Sequence, residues 1–271
     1  MNILVCVKRV PATGDRINLT PDAMDVDTKF LGFTVSPHEE CAEEEAVRIV
    51  EAHGGSSTVL TLGGPESEEQ LRDAMAIGVD RAVLLETDGV EWDPMATAAA
   101  IVDAIRVREA ADGPFDLVMF GNEAADSGDY QVGVRVAVAL DRPCVTGVKG
   151  LEIGDGSIAA RRETGGGWEV YDLPTPAVVS VKEGINLPRY PSVPGRLRAR
   201  KKEVERIVPT KPAGAGGATA GPTGPVKLGL RLPVRTETTA EILGTGPDAA
   251  PAVVELLRTL GLIARSSGTD A

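Results

Sequence analysis

The chain has 271 residues, 42% of them hydrophobic and 25% charged, the composition of an ordinary soluble globular protein with one large domain or two small ones. Its 28 Lys and Arg against 40 Asp and Glu leave a formal net charge of −12. That balance excludes a general nucleic-acid binder or a binder of anionic membranes, and it requires any phosphate ligand to be held by local, mainly backbone, donors.

The N-terminal MNILVCVKRV turns charged too soon for a secretory signal, and no apolar run approaches the roughly 18 residues of a membrane span. The expectation is a cytoplasmic protein with no membrane insertion. ILVCV, STVLTL, RAVLLE, DLVMF and AVVSV are short, β-branched apolar runs, most of them separated by stretches of helical spacing at 38–53, 65–77 and 94–109. This alternation predicts an α/β fold with a doubly wound, mostly parallel sheet covered by helices on both faces. Between 145 and 171 the pattern changes to polar strands with turns at GDG and GGG, which predicts a short antiparallel insertion before the sheet resumes at Ala177.

The expected organisation is an α/β domain over 1–208 containing a basic loop at 184–204, a flexible linker over 209–225, and a C-terminal arm over 226–271. The linker, KPAGAGGATAGPTGP with its flanks, has too little apolar content to offset the entropy of ordering it. The arm contains VKLGLRLPV and a helix expected over 250–263, with Val253, Leu256, Leu257, Leu260 and Ile263 on one side. Such an arm can pack on a partner instead of on its own domain.

Conventional catalytic machinery is poorly supplied. There are two histidines, and no GxSxG, HExxH, Walker A or strand-to-helix GxGxxG motif is present. His53 suits a helix C-terminus beside Gly54 and Gly55, whereas His38 follows Ser36 and Pro37 at a helix entrance. The three cysteines, Cys6, Cys41 and Cys144, have no metal or CxxC spacing, so no metal site is expected and buried, reduced thiols are. In a doubly wound sheet three segments converge at the strand carboxyl ends: the exit of the first strand at Cys6, the turn LGGPE around Gly63, and the long loop GNEAADSGDYQVG after DLVMF. Connections in such folds need only about two to six residues, and helix N-termini offer N–H groups to a phosphate. Plain glycine turns fit these segments as well as a nucleotide site does. The stretch INLPRYPSVPGRLRARKKEVERI places the apolar Val193 between Pro191 and Pro194 and follows it with Arg196, Arg198, Arg200, Lys201 and Lys202. It reads either as a docking element for an acidic partner or as a solvated basic helix face.

The segments ILVCVKRVP, SPHEECAEEEAVRI, GGPESEEQLRDAMAIGVDRAVLL, DLVMFGNEAADSGDYQVG and AVVSVKEGINLPRYPSVPGRLRARKK, in this order over residues 1 to about 208, resemble the electron-transfer flavoprotein β subunit. The resemblance implies a Rossmann-like fold of the adenine-nucleotide-hydrolase type and an electron carrier without substrate chemistry of its own. It implies an α subunit that carries most of a shared FAD site, electrons received from flavin dehydrogenases of the acyl-CoA dehydrogenase type, and a quinone oxidoreductase leading to the respiratory chain. It further implies an AMP site built from Cys6, Ser36, Pro37, His38, Glu39, Gly63 and the loop residues Gly121, Asn122, Glu123, Ala124, Ala125, Asp126, Ser127, Gly128, Asp129, Tyr130, Gln131 and Val132. The basic stretch becomes a recognition loop, with Val193 as apolar anchor and Arg196, Arg198, Arg200, Lys201 and Lys202 as its basic flank. Four residues depart from the family pattern: Tyr130 and Val132 stand in place of the Asn and Thr of an Asn-Gln-Thr ending, His38 replaces an aromatic, and Val193 replaces a leucine. The segment at 93–97, DPMAT, resembles the flavin-binding pattern of electron-bifurcating relatives, in which a second FAD takes the place of AMP. A stand-alone adenine-nucleotide-binding regulator with the same architecture is the remaining alternative.

Overall fold

A computed structural model describes residues 1–12, 14, 17–210, 227–234 and 240–263. Its elements in chain order are β1 (Asn2–Val7), β2 (Val10–Pro11), β3 (Phe33–Thr34), α1 (Pro37–His53), β4 (Ser56–Gly63), α2 (Glu68–Ile77), β5 (Arg81–Glu86), α3 (Pro94–Asp112), β6 (Leu117–Gly121) and α4 (Val132–Ala139). They continue with β7 (Cys144–Ile153), β8 (Ser157–Thr164), β9 (Gly167–Pro174), β10 (Ala177–Val181), α5 (Val193–Ala199), β11 (Val204–Ile207) and α6 (Ala250–Thr259). Among the described residues one sheet has nine strands in the order β11-β5-β4-β1-β6-β10-β7-β8-β9, and β2 pairs with β3 in a small antiparallel sheet.

Pairing is parallel from β11 through to β7. The β7-β8 and β8-β9 pairs are antiparallel. The antiparallel segment expected at 145–171 is therefore an extension of the main sheet, because β7 lies parallel to β10 before the chain doubles back. β11 is a short strand that the basic stretch conceals in the sequence. Its VERI carries two charged residues in four, and it is recruited at the sheet edge by β5.

The alternation of side chains in β1 builds two cores, one on each face. Ile3, Val5 and Val7 pack with residues of α1 and α2 such as Ala42, Ala46, Leu71 and Met75. Leu4 and Cys6 pack with Ile101 and Ile105 of α3 and Val136 of α4. α1, α3 and α5 start where the sequence supplies a side-chain cap. Ser36 opens α1 in a capping box with Glu39, and the Asp93 carboxylate accepts from the backbone of Met95 and Ala96 to open α3.

The chain forms two compact units, Met1–Leu230 and Arg231–Ala271. The linker expected over 209–225 falls, from 211 onward, outside the described residues. Residues 227–230, expected in the arm, lie against the first unit: Leu230 N donates to Ala23 O at 2.7 Å, and Lys227 Nζ meets Asp25 at 2.7 Å and Glu91 at 3.0 Å. In the second unit α6 covers the first part of the helix expected at 250–263, and none of its residues is buried.

α5 is held down by α2. The Arg72 guanidinium donates to the carbonyls of Ala199 and Lys202 at 2.6 and 3.2 Å. Gly195 makes the approach possible, since a Cβ there would land on the Ala76 carbonyl oxygen at the end of α2. Gly195→Ala is expected to push α5 off α2 and lower stability by about 1–3 kcal/mol. Urea unfolding would report it, and an unchanged midpoint would contradict this packing account.

Candidate functional site: the crevice at the carboxyl edge of the sheet

The strand order places β1 between β4 and β6, so the chain moves outward on one side through β4 and β5, then returns to continue on the other with β6 and β10. This is the switch point at which open α/β sheets leave a crevice. In register, Cys6 lies beside Leu60 and Phe120, and Gly121 lies beside Val181. Of Cys6 only the backbone is available to the crevice edge, because its side chain is packed in the α3/α4 core and burial pushes its thiol pKa well up.

Glu39 joins the parts. It is 6% exposed. Its Oε2 accepts from Ser36 N at 2.9 Å, and its Oε1 accepts from Lys8 N, also at 2.9 Å. Ser36 Oγ returns the capping bond by accepting from Glu39 N at 3.2 Å. The carboxylate therefore fastens the exit of β1 to the first turn of α1. Gly121 passes directly over this junction: a Cβ on it would stand 2.6 Å from Glu39 Cγ and 3.3 Å from His38 Cβ. The close approach that requires glycine here is that of α1. Gly63 is likewise small because a Cβ would collide with Ser67 Oγ.

The long loop after β6 is fastened at both flanks and at its tip. Asn122 N donates to Val181 O at 2.8 Å, Ala124 N to Asp129 O at 3.0 Å, and Gly128 N to Ala124 O at 2.8 Å. Glu123 receives the Tyr130 hydroxyl and faces His38 Nε2 at 3.5 Å. His38 Nδ1 accepts from Glu183 N at 2.7 Å, so Nε2 is the protonated nitrogen. His38 thus bridges the loop to the segment after β10. Asp126 reaches Lys8 Nζ at 2.7 Å. Gln131 caps nothing with its side chain. Its Oε1 accepts from Arg135 Nε and Nη2 at 3.1 and 2.7 Å, and α4 begins at Val132 with no side-chain cap. Pro37, Ala125 and Ser127 are exposed. Lys8 and Glu183 were not singled out by sequence reasoning. The one available signal was a lysine directly after the first strand.

The basic loop exposes more apolar surface than Val193 alone. Leu187 is 91%, Tyr190 97% and Val193 73% exposed. Arg189 is a fastener, gripping Glu44 Oε2 at 2.8 Å and Glu51 Oε1 at 2.7 Å on α1. Lys202 also turns inward and donates to Val79 O at 2.8 Å, whereas Arg196, Arg198, Arg200 and Lys201 are exposed. α5 ends at Ala199, so Arg200 to Lys202 follow in a turn and not on the helix.

A model of the electron transfer flavoprotein domain matches residues 26–212. The electron transfer flavoprotein subunit beta of Bacillus subtilis (strain 168) is 37% identical over 209 residues, spanning 76% of this chain and 79% of that protein. The chain belongs to the electron transfer flavoprotein β-subunit family. The subunit beta of Thermoanaerobacterium thermosaccharolyticum is 32% identical over 97% of this chain and 100% of its own length, and that of Mycobacterium bovis is 36% identical over 75% and 77%. Membership in this family associates the chain with flavin-linked electron transport. Among the described residues no helix is long and apolar enough to cross a membrane, and no group of three His, Cys, Asp or Glu is arranged to hold a metal ion.

In this β subunit the junction residue carries a pH signature. Burial pushes the Glu39 carboxyl from an ordinary value of 4.5 up to about 7, against the opposing pull of its bonds from Ser36 and Lys8. The folded state then holds the proton to higher pH than the unfolded chain does. Its contribution to stability accordingly declines as pH rises from about 4.5 to about 7 and is level above that. Glu39→Gln would turn an amide NH2 toward one of the two backbone donors and leave that N–H without an acceptor. The variant is expected to lose about 1–3 kcal/mol at neutral pH, together with this part of the pH slope. Urea unfolding of both proteins across that range is the check. Equal slopes would show that Glu39 does not titrate as described.

Proposed function

We propose that this electron transfer flavoprotein β subunit pairs with an α subunit carrying most of a shared FAD site and holds AMP in its own crevice. It would accept electrons from flavin dehydrogenases of the acyl-CoA dehydrogenase type and pass them, through a quinone oxidoreductase, toward the respiratory chain. The setting is cytoplasmic, and the subunit is a carrier with no substrate chemistry of its own. The observation that carries this reading is the convergence at the switch point of the β1 exit, the first turn of α1 and the long loop after β6.

The residues present suit a nucleotide phosphate. The start of α4 has no side-chain cap, so its first N–H groups are available to an anion. Arg135 adds a cation on the same turn, held against Gln131 Oε1. This arrangement offsets the amide and hydroxyl that Tyr130 and Val132 do not supply. AMP, when bound, would contribute structure rather than redox chemistry; the electron-carrying group is the shared FAD.

A second reading, in which a second FAD replaces AMP as in bifurcating relatives, draws on one feature. The segment at 93–97 follows Glu91, whose carboxylate meets Lys8 at the crevice at 3.3 Å. The Asp93 side chain itself is spent on capping α3. A stand-alone regulator accounts less well for α6 and its C-cap Leu260, where Val253, Leu256 and Leu260 are exposed. The α-subunit reading gives that apolar face a partner to cover it.

Docking of dehydrogenases is assigned to the tip formed by Leu187, Tyr190 and Val193, with Arg196, Arg198, Arg200 and Lys201 steering. Burying a valine side chain is worth roughly 1.5 kcal/mol, about tenfold in affinity. Val193→Ala, and Tyr190→Ala more strongly, should therefore slow flavin reduction by a cognate dehydrogenase at every ionic strength. Charge reversal at Arg200 and Lys201 should slow it chiefly at low salt, because exposed charges act on association and are screened. Stopped-flow reduction of the heterodimer across a salt series tests this. Wild-type rates in all these variants would remove the loop from docking.

A further inference from the structure

In a chain of net charge −12 the backbone donors that hold an anionic nucleotide gain from any cation at the crevice, and Lys8 is positioned to be one. It follows β1, the strand at the switch point, and its N–H is committed to Glu39 at 2.9 Å, which fixes where the side chain leaves the backbone. Its ammonium lies 2.7 Å from Asp126, near the tip of the long loop, and 3.3 Å from Glu91. Glu91 also meets Lys227 at 3.0 Å, and Lys227 in turn meets Asp25 at 2.7 Å. The charges thus alternate from the loop to the root of the arm as Asp126, Lys8, Glu91, Lys227 and Asp25.

We propose that Lys8 is a phosphate-binding residue of this β subunit and that Asp126 is its internal substitute anion, displaced when a nucleotide phosphate arrives. The inference rests on the nucleotide reading above and names a group within that site. Three features make the exchange favourable. The Lys8 and Asp126 side chains are both partly exposed, at 36% and 24%, and such pairs contribute little. A phosphate offers an ammonium stronger charge-assisted bonds than one carboxylate does. Glu91 keeps Lys227 when Lys8 turns to the ligand, so no carboxylate on that side is left without a cation. A second loop acid, Glu123, faces the His38 Nε2–H at 3.5 Å. With Asp126 on Lys8 the loop's own carboxylate neutralises that cation, and a ligand phosphate takes its place there.

The test is a double-mutant cycle on the full chain copurified with its α subunit, freed of resident nucleotide, with AMP as the probe in equilibrium dialysis. Lys8→Met is expected to weaken AMP binding about tenfold, and Lys8→Arg to retain most of it. Asp126→Asn is expected to tighten binding about threefold in the wild-type background and to have no effect when Lys8 is methionine. Thermal unfolding of each variant confirms that it is folded. The proposal is overturned if Lys8→Met binds AMP like wild type. It is also overturned if Asp126→Asn tightens binding equally with and without Lys8, which would make Asp126 a general repulsive charge. AMP binding that responds to neither residue sinks this inference and leaves the nucleotide reading standing, whereas no AMP binding by any of the proteins, wild type included, removes both.

Discussion

Burying the Glu39 carboxylate at the mouth of the sheet is the constraint around which the rest of this molecule is arranged. A carboxylate removed from water must be fully hydrogen-bonded, and the two backbone donors within reach come from different elements, Lys8 at the end of β1 and Ser36 at the start of α1. Satisfying it locks strand exit to helix entrance. That lock brings α1 close enough to β6 that residue 121 has to be glycine, and it directs the Lys8 ammonium toward Asp126 in the loop. The crevice at the switch point is thus shaped from its floor by one buried acid, before any ligand is considered.

The loop after β6 shows the same economy on a larger scale. Its length is not needed to connect β6 to α4. Its acids are used internally: Glu123 toward His38 and Tyr130, Asp126 toward Lys8. The start of α4, by contrast, has no side-chain cap, and the proposed nucleotide reading places the phosphate there. On the proposed reading, a strongly acidic protein can hold an anionic nucleotide because the donors are local and short-ranged, while the net charge acts over distances at which salt screens it.

Much of this architecture is legible in the sequence because strand and helix periods are written in apolar residues. ILVCV alternates between two cores, and Ser36 with Glu39, or Asp93 alone, marks a helix start. What escaped detection is non-local. β11 is half charged and becomes a strand only because β5 offers an edge. Arg189 and Lys202 look like free docking charges in a linear reading, yet the fold brings Glu44, Glu51 and the Val79 carbonyl to them. Leu187 and Tyr190 are exposed on either side of Arg189, which is fastened to α1, an arrangement that no local pattern encodes. Ser36, His38, Glu39, Gly121 and Glu123 meet at one edge of the sheet. The space above Gly121 is claimed by α1, which a linear reading of a glycine after a strand does not reveal.

The central claim is that this β subunit completes a flavin carrier while holding a nucleotide of its own, and the most direct measurement is the nucleotide content of the copurified heterodimer after acid denaturation. The account predicts one FAD and one AMP per heterodimer. Two FAD and no AMP would move the protein to the bifurcating reading. Flavin accompanied by no second adenine nucleotide would contradict the assignment of the crevice, and the absence of flavin altogether would contradict the carrier function itself.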